Sequence, residues 1–540
     1  MRQMPLCFLV AVLAGCQKVP APEPQISAGR IAAHVKFLAD DLLEGRGPAS
    51  RGEELATAYI ATQFALLGLE PAGDNGTYFQ RVPLVGVETL PASSFTWNNR
   101  PLKYLDEYVG INHRQQPDAT LDAEAVFVGH GIAAPEFQWD DYKGTDVKGK
   151  FVILFTNEPE STDAKFFGGR ALTYYGRWTY KLEEANRRGA LGCLIVHTAK
   201  TAGYGWQVVR NSWSGREPYV KLAAGEPALA FAGWITEQAG DQMFAALGKK
   251  AADMLQQSGS RDFRPVALPI KIRGRIKSEV SPMDTRNVVA RLPGDDPQRK
   301  EEALLYSAHW DHLGIGPASG GDTIYNGAVD NATGCGILLE TARAFTQLGA
   351  PPARSILFAA VGAEEGGLRG SEYLGRNPPV PAGRIALNLN YDGLFAFGRA
   401  ADITATGYER TTVRDLVDQT AKEFGFKINP DPQPEQGHYY RSDHFSLARV
   451  GVPAFSLDLG DEYVGKPPGW GKKAYDEYNA KHYHQPSDHF DSAWDFTGLA
   501  ELARFGLRLG ARVANLAQLP GWQPGDEFLP ARQKSQRPQP

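Results

Sequence analysis

At 540 residues, with 42% hydrophobic, 11% aromatic and 22% charged side chains, the chain has the make-up of a large globular protein, not of a disordered, collagenous or coiled-coil one. A net charge of −5 leaves no general basic field to hold nucleic acid, so the reading carries no nucleic-acid partner. Four cysteines are too few for a disulfide scaffold, and no apolar run reaches the roughly 18–20 residues of a membrane-spanning helix.

The first residues read as an export signal. Arg2 precedes a short apolar run that ends in Leu13-Ala14-Gly15-Cys16. That ending resembles the bacterial lipoprotein signal, which implies that 1–16 is a leader and that Cys16 is lipidated. Residues 17–26, with Pro20, Pro22 and Pro24, would be a semi-rigid tether. Gln17 after Cys16 points to the outer membrane, with the protein on the periplasmic face and its only membrane attachment at Cys16. Cys193 and Cys335 would remain as buried free thiols.

Between 27 and 70, Ile31, Val35, Leu38 and Leu42, then Ala56, Ile60, Phe64 and Leu67, recur at helical spacing. Two core-facing helices are predicted, broken at Gly45-Arg46-Gly47-Pro48 and ended by Gly68. Residues 27–119 are assigned to the first part of the main domain. From 120 to 265, short β-like runs at 125–129, 151–155, 191–196 and 228–231 alternate with turn residues and predict a mostly β insert. Trp206, Trp213 and Trp234 read as packing residues within it. From 266 to 520, strands at 303–308, 355–361, 385–391 and 453–457 alternate with helices at 334–348, 367–374, 413–424 and 496–514. Such alternation predicts an α/β fold with a mixed, largely parallel sheet covered by helices on both faces. The polar, Pro-rich end, 521–540, reads as a flexible tail.

Ligands in open α/β sheets gather beyond the carboxyl ends of strands. There the sequence places His309-Trp310-Asp311, Asp330-Asn331, Glu364-Glu365 and Asp392, with Tyr483-His484 and Asp488 in a late loop. Histidine and carboxylate without cysteine suits zinc or a similar divalent ion. Five such ligands are too many for one catalytic zinc but serve two if one carboxylate bridges. The adjacent Glu pair fits a division of labour in which one carboxylate binds metal and its neighbour accepts a proton.

These motifs, together with Gly327-Ala328-Val329-Asp330-Asn331, Asn390-Tyr391-Asp392 and Ser442-Asp443-His444, resemble the di-zinc exopeptidases, which include secreted bacterial aminopeptidases and the glutamate carboxypeptidases. Leu43-Glu44-Gly45-Arg46 is similar to the entry of many members, and the insert resembles their protease-associated domain. The resemblance implies two zinc ions per chain: His309 and Asp392 on one, Glu365 and His484 on the other, and Asp330 between them. It implies Glu364 as general base and proton donor, and Tyr483 as the phenol that stabilises the oxyanion. Asp311 would lie behind the ligands, accepting from the far nitrogen of His309, and Asp488 would brace the His484 loop. Peptides are the implied substrates, with an aminopeptidase the leading activity. A carboxypeptidase or dipeptidase of the same fold, a single-zinc glutaminyl cyclase, and a non-catalytic binding protein stay open. Arg369, Arg399 and Arg441 would be the groups for an acidic C-terminus. His312, His438, His444, His482 and His489 are left without a metal role. The long link from Tyr463 to Tyr478 is expected to shape the pocket. No motif sets an oligomeric state.

Overall fold

The strands Ser355–Val361 and Ala303–His309 are buried along their whole length, the pattern of parallel strands covered on both faces. The computed structural model describes residues 24–163, 166–222, 225–431, 434 and 437–537. The expected leader, Cys16 and most of the tether lie outside the described residues. Among the described residues no helix is long and apolar enough to cross a membrane.

The first sheet is centred on four parallel strands in the order Ser355–Val361, Ala303–His309, Ile385–Asn390 and Ala454–Leu459. Thr285–Leu292 joins one side antiparallel and Asp402–Thr406 the other. This is the mixed, largely parallel sheet that the sequence predicts. Helices Ala28–Leu38, Arg51–Leu66, Thr333–Thr346 and Thr497–Ala514 bury their apolar stripes on one face. Arg369–Arg376 and His444–Arg449 cover the other.

The two N-terminal helices start on serines. The side chains of Ser27 and Ser50 accept hydrogen bonds from the backbone N–H groups of Arg30 and Glu53, each at 3.3 Å. Between the helices Gly45, at φ +67°, passes so close to the Gly314 and Tyr325 carbonyls that a Cβ would meet both at 2.5 Å.

The second sheet runs Glu217–Val220, Leu84–Thr89, Val266–Pro282, Asp118–Phe127, Phe151–Leu154, Gly192–Val196, Phe231–Ile235, Tyr108–Ile111. Four of these, from Asp118–Phe127 to Phe231–Ile235, are parallel. Helices such as Trp178–Arg187 and Glu237–Phe244 accompany them. The expected insert is therefore corrected in extent and content: its sheet reaches from residue 84 to 282, and the unit is mixed α/β rather than mostly β. Leu84–Thr89 pairs with the far end of Val266–Pro282 across most of the insert, a partnership that no local pattern reveals. Trp213 and Trp234 are buried against each other, and Trp206 donates its indole N–H to the Leu105 carbonyl, so these tryptophans do pack. Cys193 and Cys335 are buried free thiols.

The chain end also differs from expectation. Trp522 and Phe528 are buried in the main core, and the helix Leu529–Ser535 follows. Arg532 donates to the carbonyls of Ala382 and Pro520 at 3.0 and 2.9 Å. Two large buried aromatics and a guanidinium bonded to two carbonyls outweigh the polar composition that suggested a flexible tail over 521–540, of which 538–540 lie outside the described residues.

Candidate metal centre

His309, Asp392, Glu364 and Glu365 stand where strands of the first sheet stop, and Asp330 and His484 come from turns. Ala303–His309 ends on His309, and Asp392 follows Ile385–Asn390 by two residues. After Ser355–Val361, Ala363 takes a left-handed φ of 53°, and Glu364 and Glu365 follow this turn. Asp330 lies in the irregular turn Ala328–Ala332 ahead of Thr333–Thr346. That turn opens at Gly327, φ +57°, where a Cβ would meet the Asp330 carbonyl at 2.2 Å and the His312 ring at 2.5 Å. His484, at φ 55°, follows the helix Trp470–Lys481.

Asp330 stands between two imidazoles. Its Oδ1 is 3.2 Å from His309 Nε2, and its Oδ2 is 3.4 Å from His484 Nε2. On the first side Asp392 Oδ1 is 3.0 Å from His309 Nε2; on the second, Glu365 Oε2 is 2.9 Å from His484 Nε2. All five expected ligands therefore converge. Candidate ligand atoms of His309, Asp330 and Asp392 lie within 4.8 Å of one another, as do those of His312, Asp330 and Glu365.

His312, which the sequence leaves without a metal role, joins this group. Fully buried, it places Nδ1 2.6 Å from Glu365 Oε1, so His312 and His484 face different oxygens of one carboxylate. Its spacing three residues after His309 was the available signal.

The charges are out of balance without a cation. Burial works to raise the carboxyl of Asp330, but His309 and His484 outweigh it and hold it well below its usual range. Burial and the charge of Asp330 would raise Glu365, yet His484 and His312 bring it down to about 2. Burial would strip His484 of its proton, but Glu365 and Asp330 push its pKa up to about 10. His309 rises well above its usual value against burial, through Asp392 and Glu364. The carboxyl of Glu364 goes the opposite way to Asp330: burial, then Asp392 and Glu365, lift it far above the carboxylate range. Protons on two imidazoles thus offset carboxylates that divalent cations would neutralise, and the nitrogen-and-oxygen donor set fits zinc.

Neighbouring groups fix these side chains. His309 Nδ1 lies 3.2 Å from the Asp311 carbonyl and 3.8 Å from its carboxylate. The expected carboxylate contact is thus made instead by the residue's own backbone. Its side chain accepts from the backbone N–H groups of Glu364 and Glu365 at 3.1 and 3.4 Å, and burial raises it to about 7. Ser442 donates to Asp392 Oδ2 and accepts from Asn390 Nδ2 at 2.7 Å. Asp488 accepts from the backbone N–H groups of Val329 and Asp330 at 3.0 and 3.1 Å, and from the Tyr478 hydroxyl at 2.9 Å. It therefore ties the His484 loop to the turn that carries Asp330. Arg46, fully buried, donates to the carbonyls of Trp310 and Gly327 at 2.7 and 2.9 Å, which gives the Leu43-Glu44-Gly45-Arg46 motif its place under the site.

A cavity of about 520 Å³ opens from Asp330, Glu364 and Asp392. Tyr483 lines it with its ring centroid 4.0 Å from that of His484. Burial and then Asp330 keep the phenol of Tyr483 protonated far above its usual pKa. Tyr463, Tyr475 and Tyr478 also line the cavity, so the long link shapes the pocket as expected. Of the three arginines considered, Arg441 lines the cavity; Arg399 pairs with Glu501, and Arg369 packs over Tyr219.

A largely parallel sheet thus gathers imidazoles and carboxylates around a shared aspartate, a donor set that could hold divalent cations. Residues 287–506, which carry that centre, match Peptidase family M28. The chain is similar to leupeptin-inactivating enzyme 1 of Streptomyces exfoliatus, 28% identical over 206 residues that cover 37% of this chain and 42% of that protein. It is also similar to a probable zinc metalloprotease of Pyricularia oryzae, 35% identical over 284 residues covering 48% of this chain and 53% of that one. The chain thus spans about half, or less, of the length of these curated relatives. The aminopeptidase from Aneurinibacillus sp. strain AM-1 shares the fold, with a TM-score of 0.54 at 19% identity over 92% of this chain and 96% of that one.

Proposed function

We propose that the protein is a zinc-dependent exopeptidase with two metal ions per chain, acting as an aminopeptidase on peptides. The observation that carries this reading is Asp330, whose two oxygens face different imidazoles, each with a further carboxylate beside it. His309, Asp392 and Asp330 would hold one zinc; Glu365, His484 and Asp330 would hold the other. Bound zinc would supply Lewis acidity, polarising the scissile carbonyl and acidifying water.

The chain's own residues do the rest. Glu364 is spared from the ligand set and lies in the cavity beside Asp392, where it takes a proton from water and returns it to the leaving amine. Burial and acidic neighbours raise the pKa of this carboxyl, and bound zinc would offset those neighbours, which would suit it to both transfers. Tyr483, protonated and beside the metal ligands, donates to the oxygen that becomes negative during attack. The cavity walls from Phe395 to Tyr475 receive the first side chain of the substrate.

The leader pattern supports export and lipid attachment at Cys16, on the periplasmic face of the outer membrane. Labelled palmitate entering the wild type but not Cys16→Ser is the expected result, and equal labelling would refute it.

The catalytic reading is tested with amino-acid 4-nitroanilides and their N-acetyl counterparts, alongside zinc analysis. About two zincs, cleavage of free-amine substrates only, and a loss of about 10²- to 10⁴-fold in Glu364→Gln with zinc retained are expected. Two zincs with cleavage restricted to C-terminal residues would replace the aminopeptidase with a carboxypeptidase.

A further inference from the structure

We infer that the inserted unit completes the metal centre, with Ser212 as the positioning residue for His484. The inference rests on the two-metal reading above. Ser212 ends the helix Trp206–Ser212 of the insert, and its Oγ lies 3.0 Å from His484 Nδ1. The preceding residue, Asn211, donates from its side-chain amide to the His484 carbonyl at 3.3 Å. Both bonds cross from one unit to the other.

A ligand imidazole must present one nitrogen bare to the metal and have its other N–H held. A serine hydroxyl can accept that N–H. With Ser212 on Nδ1, the bare nitrogen of His484 is Nε2, which faces Glu365 and Asp330. Asn211 holds the backbone of the same residue, where φ is 55°. The helix behind these two side chains is fastened to the insert: Trp206 donates to the Leu105 carbonyl at 3.0 Å, and buried Trp213 packs edge-on to Trp178. Ser212 is thus set by the insert's core, not by the catalytic sheet.

His309 is oriented differently. Its Nδ1 is met by the carbonyl of Asp311, two residues along the same chain segment. One imidazole is therefore aimed from inside the catalytic unit and the other from outside it. A small shift of the insert would release the His484 side of the centre and leave the His309 side intact.

The test is zinc affinity of the full chain, measured by competition with a chromophoric chelator, for wild type, Ser212→Ala and Ser212→Thr. Ser212→Ala is expected to weaken one of two zincs by about 10- to 100-fold and leave the other unchanged. Its turnover should fall at limiting zinc and recover when zinc is in excess, with KM unchanged. Ser212→Thr, which keeps the hydroxyl, should bind both as the wild type does. Two zincs bound with wild-type affinity in Ser212→Ala would overturn the inference and leave the two-metal reading standing. A wild type holding one zinc would overturn the two-metal reading, and the inference too if Ser212→Ala does not weaken that site.

Discussion

Both units of this chain are mixed α/β sheets with a core of four parallel strands and buried charge, yet they use that charge differently. In the insert, Asp141 accepts from the Ile132 N–H and the Trp139 indole, Glu158 from Thr173, and Lys181 donates to the Asn157 carbonyl. These three groups attract one another, but each is also met by backbone or a neutral side chain, and burial draws Lys181 down to about 7. Around Asp330 in the first unit, carboxylates face imidazoles. Buried charge answered largely by backbone and neutral groups holds a fold; a cluster in which several carboxylates crowd a few imidazoles calls for a cation.

The sharpest way to break this contrast is Asp330→Asn. Removal of the shared carboxylate should lower zinc binding at both sites and take activity below detection, measured by zinc analysis and turnover; one zinc retained at wild-type affinity would contradict the bridging role. Asp488→Asn should weaken zinc by about 10- to 100-fold in the chelator assay, because it loosens the turn that carries Asp330. Arg46→Met leaves buried carbonyls without donors and should cost about 3 kcal/mol or more in urea unfolding. Lys181→Met, in the insert, should cost about 1–3 kcal/mol and leave zinc content and turnover unchanged.

Acid tests both units at once. Burial lowers His34 to about 4 and His444 to about 3 in the catalytic unit, and His113 and His130 to about 3 in the insert. Below pH 6.5 the unfolded chain binds protons that the native state refuses. The share of stability that these histidines contribute is therefore full above pH 6.5 and falls as pH drops toward 4, by about 1.4 kcal/mol per unit for each, while carboxyls that burial raises, such as Asp311 at about 7, act in the opposite direction. His130→Gln should make the urea midpoint less sensitive to acidification from pH 7 to 4.5 than it is in the wild type; an equal or greater loss on acidification would contradict the sign.

The catalytic half was legible because its signals are local. An apolar run such as Ser355–Val361 announces a buried strand, and the polar residues just past it announce the site, so the helices, sheet class and candidate ligands follow from short windows. What was missed depends on distant partners. Ser212 and Asn211 are ordinary helix-end residues until the insert brings them to His484. His312 reads as a spare histidine until Glu365 is seen 2.6 Å away. The first strand of the insert declares itself only through pairing with residues 278–282, and Trp522 and Phe528 only through the core that receives them.

The central claim is a pair of zinc ions astride Asp330, and anomalous scattering at the zinc edge from crystals of the zinc-loaded protein tests it most directly. Two peaks about 3.5–4 Å apart are predicted, one beside His309 and Asp392 and the other beside Glu365 and His484. A single peak, or two that do not share Asp330, would contradict the account.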